Sequence, residues 1–132
     1  RDNKYMYKEL EKHIKSRDTL YQWRRIYVRE NKSNMCPTLT ANMGTGGHNV
    51  PLLKDDAGIR KLTPRECLNF QSFPKNFNFP YDMPISQRYK QAGNAVPVNM
   101  IKAVAQKLLP YVATTIDPSM VLREYDLKYN AS

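Results

Sequence analysis

The sequence is short of the features that would tie it to a membrane, a metal or a disulfide framework. No stretch approaches the run of about 18 apolar residues that a membrane-spanning helix needs, and no charged-then-apolar opening resembles a secretion signal. Only two cysteines are present, Cys36 and Cys67, far apart and without a C-x-x-C pair. That argues against zinc and fits a reducing cytoplasm. The two histidines, His13 and His48, are isolated, so no metal site is expected. No Gly-Lys-Ser/Thr ends a glycine-rich loop, which excludes a Walker-type phosphate loop. No pair of carboxylates stands out as an acid/base site. Acidic residues are in deficit, 12 against 21 Lys and Arg, a net charge of +9. A surplus of that size favours a polyanionic partner, usually nucleic acid.

What is present is 132 residues, enough for one compact domain or part of a larger one, with 41% hydrophobic residues and therefore a modest core. The chain opens on Arg rather than Met and is read as a fragment with sequence upstream. Residues 4–16 carry Tyr7, Leu10 and Ile14 at helical spacing. Residues 21–29 read as one strand rich in aromatic and β-branched residues, and 31–34 as a turn. Residues 36–41 read as a short extended stretch, 44–49 as a flexible glycine-rich loop, 50–53 as a strand and 54–58 as a turn. Thr63, Pro64 and Glu66 form a T-x-x-E capping box with proline at the first helical position, so a helix is expected to about Ser72 with Cys67, Leu68 and Phe70 or Phe73 buried. Ser86 is read as the cap of a short helix that Gly93 and Asn94 end in a left-handed turn. Pro97 then opens a final helix, 98–109, with Val98, Ile101, Ala105, Leu108 and Val112 on one apolar face, ended or kinked at Pro110.

Two segments can contact a nucleic acid. The first places Arg24, Arg25, Arg29 and Lys32 close to Trp23, Tyr27 and Asn31; Arg suits guanine, Asn suits adenine, and the cations suit phosphates. The second, residues 38–49 (TLTANMGTGGHN), combines Gly44, Gly46 and Gly47, which let backbone approach a partner, with the short polar groups of Thr38, Thr40, Asn42, Thr45 and His48. An exposed charged strand and an ordinary surface loop would carry the same letters. Cys36 and Cys67 are read as small buried thiols rather than nucleophiles, and Glu66 as a capping partner. No catalytic residue is assigned.

Residues 60–77 (RKLTPRECLNFQSFPKNF) resemble the ninth conserved block of the DNA (cytosine-5) methyltransferases, R-x-L-T-x-R-E-x-x-x-x-Q-G-F-P, through Arg60, Leu62, Thr63, Arg65, Glu66, Gln71, Phe73 and Pro74, with Ser72 where the family usually has Gly. Residues 89–98 (YKQAGNAVPV) resemble the tenth block through Tyr89, Gly93, Asn94 and Val96. Residues 36–51 are similar to the recognition stretch of several bacterial members, including the Thr38-Leu39 pair. The match covers most of residues 21–109.

The resemblance implies an α/β fold: a small β-rich target-recognition region, then helices that pack on a doubly wound S-adenosylmethionine-dependent domain largely absent from this sequence. It divides the chain into 1–58 (recognition), 59–112 (ninth and tenth blocks) and 113–132 (a tail without an assigned role). It implies double-stranded DNA and a catalytic methyltransferase domain or subunit as partners, S-adenosylmethionine as cofactor, no membrane, and a bacterial cytoplasmic location. Thr38 resembles the phosphate-contacting threonine, Leu39 its packing neighbour, and Asn42, Met43, Gly44, Thr45, Gly46, Gly47 and His48 the recognition loop. Thr63, Arg65, Glu66, Gln71 and Gly93 resemble structural positions. Asn94, Ala95 and Val96 resemble a cofactor-side edge, Ala95 standing where many members have Ser. The Pro-Cys nucleophile, the Glu-Asn-Val block and a glycine-rich cofactor fingerprint are missing from these residues, so this chain by itself is expected to be inactive. The expected function is recognition and C-terminal scaffold of a restriction-modification methyltransferase. The alternatives are a non-catalytic DNA-binding module or a subunit of a split enzyme.

Overall fold

The segment 21–29, expected as a single strand, folds back on itself. β1 (Leu20–Arg24) and β2 (Tyr27–Asn31) pair antiparallel, from Leu20↔Asn31 to Arg24↔Tyr27. The two-residue connection carries neither Gly nor Asn, the residues that favour tight hairpin turns, so composition reads as one uninterrupted strand. β3 (Val50–Asp55) pairs with β1, and β4 (Gly58–Lys61) pairs with β3 through the closing pair Asp55↔Gly58. Gly58 sits at φ +117, a backbone state that a side chain rarely adopts. The result is a four-stranded antiparallel sheet of order β2-β1-β3-β4. The computed structural model describes residues 7–24, 26–32, 35–43 and 49–115.

Side chains alternate across a strand and cross-strand partners share a side, so the register sorts the sheet into two faces. Tyr21, Trp23, Val28, Val50, Leu52 and Ile59 occupy one face and pack with Leu10 and Ile14, at and just beyond helix α1 (Tyr7–His13). Leu20 and Leu53, on the other face, join the second cluster: Met43, Leu62, Cys67, Leu68 and Ala92. The sheet is therefore covered on both sides, and the chain is a mixed α/β unit.

Helix α2 (Pro64–Phe70) starts as its spelling dictates. The Thr63 hydroxyl accepts from the Glu66 N–H at 3.2 Å, and the Glu66 carboxylate accepts from the Thr63 N–H at 2.7 Å. Arg60, reaching across from β4, donates to both Glu66 oxygens at 2.9 Å and to Asp55 at 2.6 Å. Cys67 and Leu68 are buried as expected, while Phe70 is exposed and Phe73 half-buried. Arg65 donates to the carbonyls of Phe73, Pro74 and Phe77, holding the irregular stretch after α2.

Helix α3 (Ile85–Asn94) departs from expectation at both ends. Pro84 is its N-cap and no side-chain cap bond forms, so Ser86 lies inside the first turn. Gly93 and Asn94 are helical to the end, and Ala95 leaves in an extended conformation (φ −71°). No left-handed turn occurs there. α3 is tied to α2 by Gln71, whose Nε2 donates to the Ala92 carbonyl at 2.7 Å, and to the end of the sheet by Tyr89, whose hydroxyl donates to the Leu62 carbonyl at 2.7 Å.

The chain divides into two compact units, Arg1–Pro97 and Val98–Ser132. The second contains α4 (Val98–Thr115), longer than the expected 98–109 because the helix runs through Pro110. An interior proline removes one helical hydrogen bond and favours a kink, and here the helix continues beyond it. Ile101, Leu108 and Val112 are exposed along one line of α4. Of the expected tail, 113–132, residues 113–115 continue α4 and the rest lies outside the described residues.

Candidate nucleic-acid interface

The second face of the sheet changes character along its length. Where it meets α2 it presents Leu20 and Leu53. Two residues further along β1 come Gln22 and then Arg24, with Arg29 and Asn31 beside them through the pairs Gln22↔Arg29 and Leu20↔Asn31. Asn49, just before β3, completes the set. Residues 35–40, which include most of the stretch 36–41 expected to be extended, take no part in the sheet and instead cross this polar end. Together they enclose a cavity of about 430 Å³, lined by Gln22, Arg24, Arg29, Asn31, Met35, Cys36, Pro37, Thr38, Thr40 and Asn49. Among the described residues, two guanidinium groups and no carboxylate line it, so its field favours an anion or an electron-rich edge.

Three of its wall residues carry a buried polar atom without a hydrogen-bond partner among the described residues: Arg24 Nε, Asn31 Oδ1 and Asn49 Oδ1. Buried polar atoms are ordinarily paired, so these three are open to a bound water or a ligand. Asn31 is oriented by its Nδ2, which donates to the Met35 carbonyl at 3.3 Å. Asn49 is held by its N–H, which donates to the Trp23 carbonyl at 2.8 Å, and sits at φ 71°. Cys36, half-buried on the wall, has its thiol pushed up to about 11 by burial, and burial pushes Cys67 up to about 12. Both therefore stay protonated at neutral pH, and neither is an activated nucleophile.

The segment that forms the cavity's upper wall is pinned from behind. Leu39 packs on the second cluster, and Met43 is fully buried there against Leu62, Cys67, Leu68 and Ala92. Met43 is therefore a core residue rather than the expected DNA contact, because a thioether gains more from that apolar pocket than from water. Gly93 approaches this segment closely: a methyl group on it would lie 2.2 Å from the Thr40 carbonyl carbon and oxygen. The Thr40 hydroxyl donates to Asn42 Oδ1 at 2.7 Å.

Of the residues expected to meet DNA, the structure brings Arg24, Arg29, Asn31 and Thr38 to one cavity. Lys32 and Asn42 are exposed but do not line it. Arg25, Gly44, Thr45, Gly46, Gly47 and His48 lie outside the described residues. Thr40, one of the polar groups of the 38–49 segment, also lines the wall, and Gln22 and Asn49 are wall residues that the sequence reading did not single out. Alternation along β1 places Gln22 on the side of Arg24, and extending β3 by one residue places Asn49 opposite. On the expected cofactor side, Asn94 is exposed at the end of α3, Ala95 is extended with its N–H donating to the Gln91 carbonyl at 3.0 Å, and Val96 is half-exposed.

The profile of the C-5 cytosine-specific DNA methylases matches residues 1–110. Among individual proteins, the chain is similar to the Type II methyltransferase M.Bsp6I of Bacillus sp. (strain RFL6), 61% identical over 102 residues, or 77% of this chain and 32% of that protein. It is similar to the Type II methyltransferase M.DsaV of Dactylococcopsis salina, 39% identical over 83 residues, 63% of this chain and 23% of that protein. It is also similar to the Type II methyltransferase M.HpaII of Haemophilus parainfluenzae, 40% identical over 60 residues, 46% of this chain and 16% of that protein. The chain thus spans about a third of the length of these relatives or less. No solved structure matches it.

Proposed function

The chain belongs to the C-5 cytosine-specific DNA methylase family, and from that membership we propose that it is the DNA-recognition and C-terminal scaffold portion of a restriction-modification methyltransferase. The reaction is transfer of a methyl group to carbon 5 of a cytosine turned out of the duplex. The observation that carries this reading is the cavity on the second face of the sheet, where Arg24, Arg29, Asn31 and Thr38 converge with no carboxylate among them. Cationic and amide side chains facing one opening suit phosphates and base edges in a major groove.

S-adenosylmethionine, when bound, supplies the methyl group. The residues of this chain fit one edge of its site. Asn94 offers a carboxamide that can both donate and accept, and the half-exposed Val96 offers apolar surface beside it. Most of the cofactor site, the nucleophile and the doubly wound domain belong to residues beyond this stretch. In this reading residues 1–58 recognise DNA, and 59–112 join that region to the catalytic domain. A bacterial cytoplasmic location follows from the same reading.

The test is methyl transfer from labelled S-adenosylmethionine to duplex DNA, by this chain alone and with the catalytic portion supplied on the same polypeptide or as a second subunit. Transfer only in the second case supports the proposal and reveals the target site. DNA binding without transfer in either case points instead to a non-catalytic DNA-binding module.

A further inference from the structure

The unpartnered atoms on the cavity wall have a defined polarity, and that polarity carries more than a general affinity for DNA. A carboxamide oxygen only accepts hydrogen bonds, and an arginine Nε–H only donates. Asn31 has spent a donor on the Met35 carbonyl, which leaves its Oδ1 as the unpaired atom. The backbone of Asn49 is fixed by its bond to Trp23 and by its left-handed φ of 71°. Its Oδ1 is likewise buried and without a partner among the described residues. Arg24, opposite on the register, brings the single unpaired donor, Nε. In the major groove only adenine N6 and cytosine N4 present an amine; guanine O6 and thymine O4 present oxygen at the corresponding place. An oxygen set against an unpaired carboxamide oxygen leaves both buried acceptors unsatisfied, whereas an amine satisfies the wall.

We propose that Asn49 and Asn31, with Arg24 as the complementary donor, are specificity-determining residues that select, at one position of the target site, a base with an exocyclic amine over one with a carbonyl. The inference rests on the reading of this cavity as the DNA contact. It adds a base-reading role for Asn49, which the loop's glycine-rich spelling hides.

The experiment uses the complete methyltransferase that carries this chain, incubated with randomised duplex DNA, and sequences the methylated products. Asn49→Gly is the informative variant, because glycine keeps the left-handed backbone while removing the carboxamide. Asn49→Gly and Asn31→Ala should relax the selected site at one shared position, by roughly 10- to 100-fold in the preference for the amine-bearing base. Asn49→Asp, which retains an acceptor, should restore that preference. At the relaxed position, a base analogue lacking the amine should slow the parent enzyme roughly tenfold and leave Asn49→Gly unaffected. An unchanged site in both amide-deleted variants, each melting within a few degrees of the parent, overturns the inference and leaves the proposed function standing. A parent enzyme that methylates nothing removes the proposed function, and the inference with it.

Discussion

At the scale of single residues, two positions hold backbone and charge states that can be tested directly. Ser72 follows the C-cap of α2 at φ 60°. Its N–H donates to the Asn69 carbonyl and the Phe73 N–H to the Leu68 carbonyl, the paired bonds of a Schellman ending. That ending favours Gly at the left-handed position, and Gly is what the family pattern has there. Ser72→Gly should therefore stabilise the chain by about 1 kcal/mol, read as a raised midpoint in chemical denaturation. A lowered midpoint would show that the serine side chain contributes more than the strain it carries. Glu66 is the second position. Its bonds to Arg60, above all, hold its carboxyl down to about 2 from a usual 4.5, against the opposing effect of burial. A carboxylate with a depressed folded-state pKa contributes stability above its unfolded value and loses it as pH falls toward the folded one. Melting temperature should drop between about pH 4.5 and 2, a loss of about 1 kcal/mol after solvent screening, and Glu66→Gln should flatten that slope while lowering stability at neutral pH.

At the scale of elements, the best-read pieces are those whose signal is local. The T-x-x-E box sets the start of α2 because both of its hydrogen bonds lie within four consecutive residues, and α1 follows from helical spacing of Leu10 and Ile14. The hairpin at 20–31 was not legible, since its turn lacks a Gly or Asn and its strands are specified by pairing with β3. Pro110 does not end α4, because interior proline weakens a helix without always stopping it. Gly93 was legible as important and misread in cause. It is helical, and its missing side chain makes room for the Thr40–Ala41 peptide. A methyl at Gly93 would meet Thr40 at 2.2 Å, too close for any rotamer change to relieve. Gly93→Ala should lower stability by about 1–3 kcal/mol. Below its melting temperature it should also weaken DNA binding, because relief of the clash moves Thr40 and so the cavity wall. A folded Gly93→Ala protein with unaltered DNA affinity would remove this coupling between α3 and the segment that carries Thr40.

For the whole molecule, the net charge of +9 predicts binding that weakens steeply with salt, but that charge is spread over many side chains and says nothing of where DNA lies. The register supplies a candidate place, which composition could not, because four of the residues expected to meet DNA come together only when β1, β2 and the 35–40 segment are assembled. The two cavity arginines then differ in a way that separates their roles. Arg29 is exposed, suited to a phosphate at the mouth, whereas Arg24 is half-buried with Nε inside, suited to a base edge. In the complete enzyme, Arg29→Ala should weaken binding to cognate and scrambled duplexes alike and lower the slope of log affinity against log salt by about 1. Arg24→Ala should leave scrambled DNA nearly untouched and cost about 1–3 kcal/mol on the cognate site alone. Titrations of both variants on both duplexes across a salt series separate these outcomes. Equal losses on the two duplexes for Arg24→Ala would move it to the backbone and leave base reading to the asparagines. No loss for either variant would take the cavity out of the DNA interface, since two unopposed guanidinium groups at a phosphate-lined groove cannot both be neutral to binding.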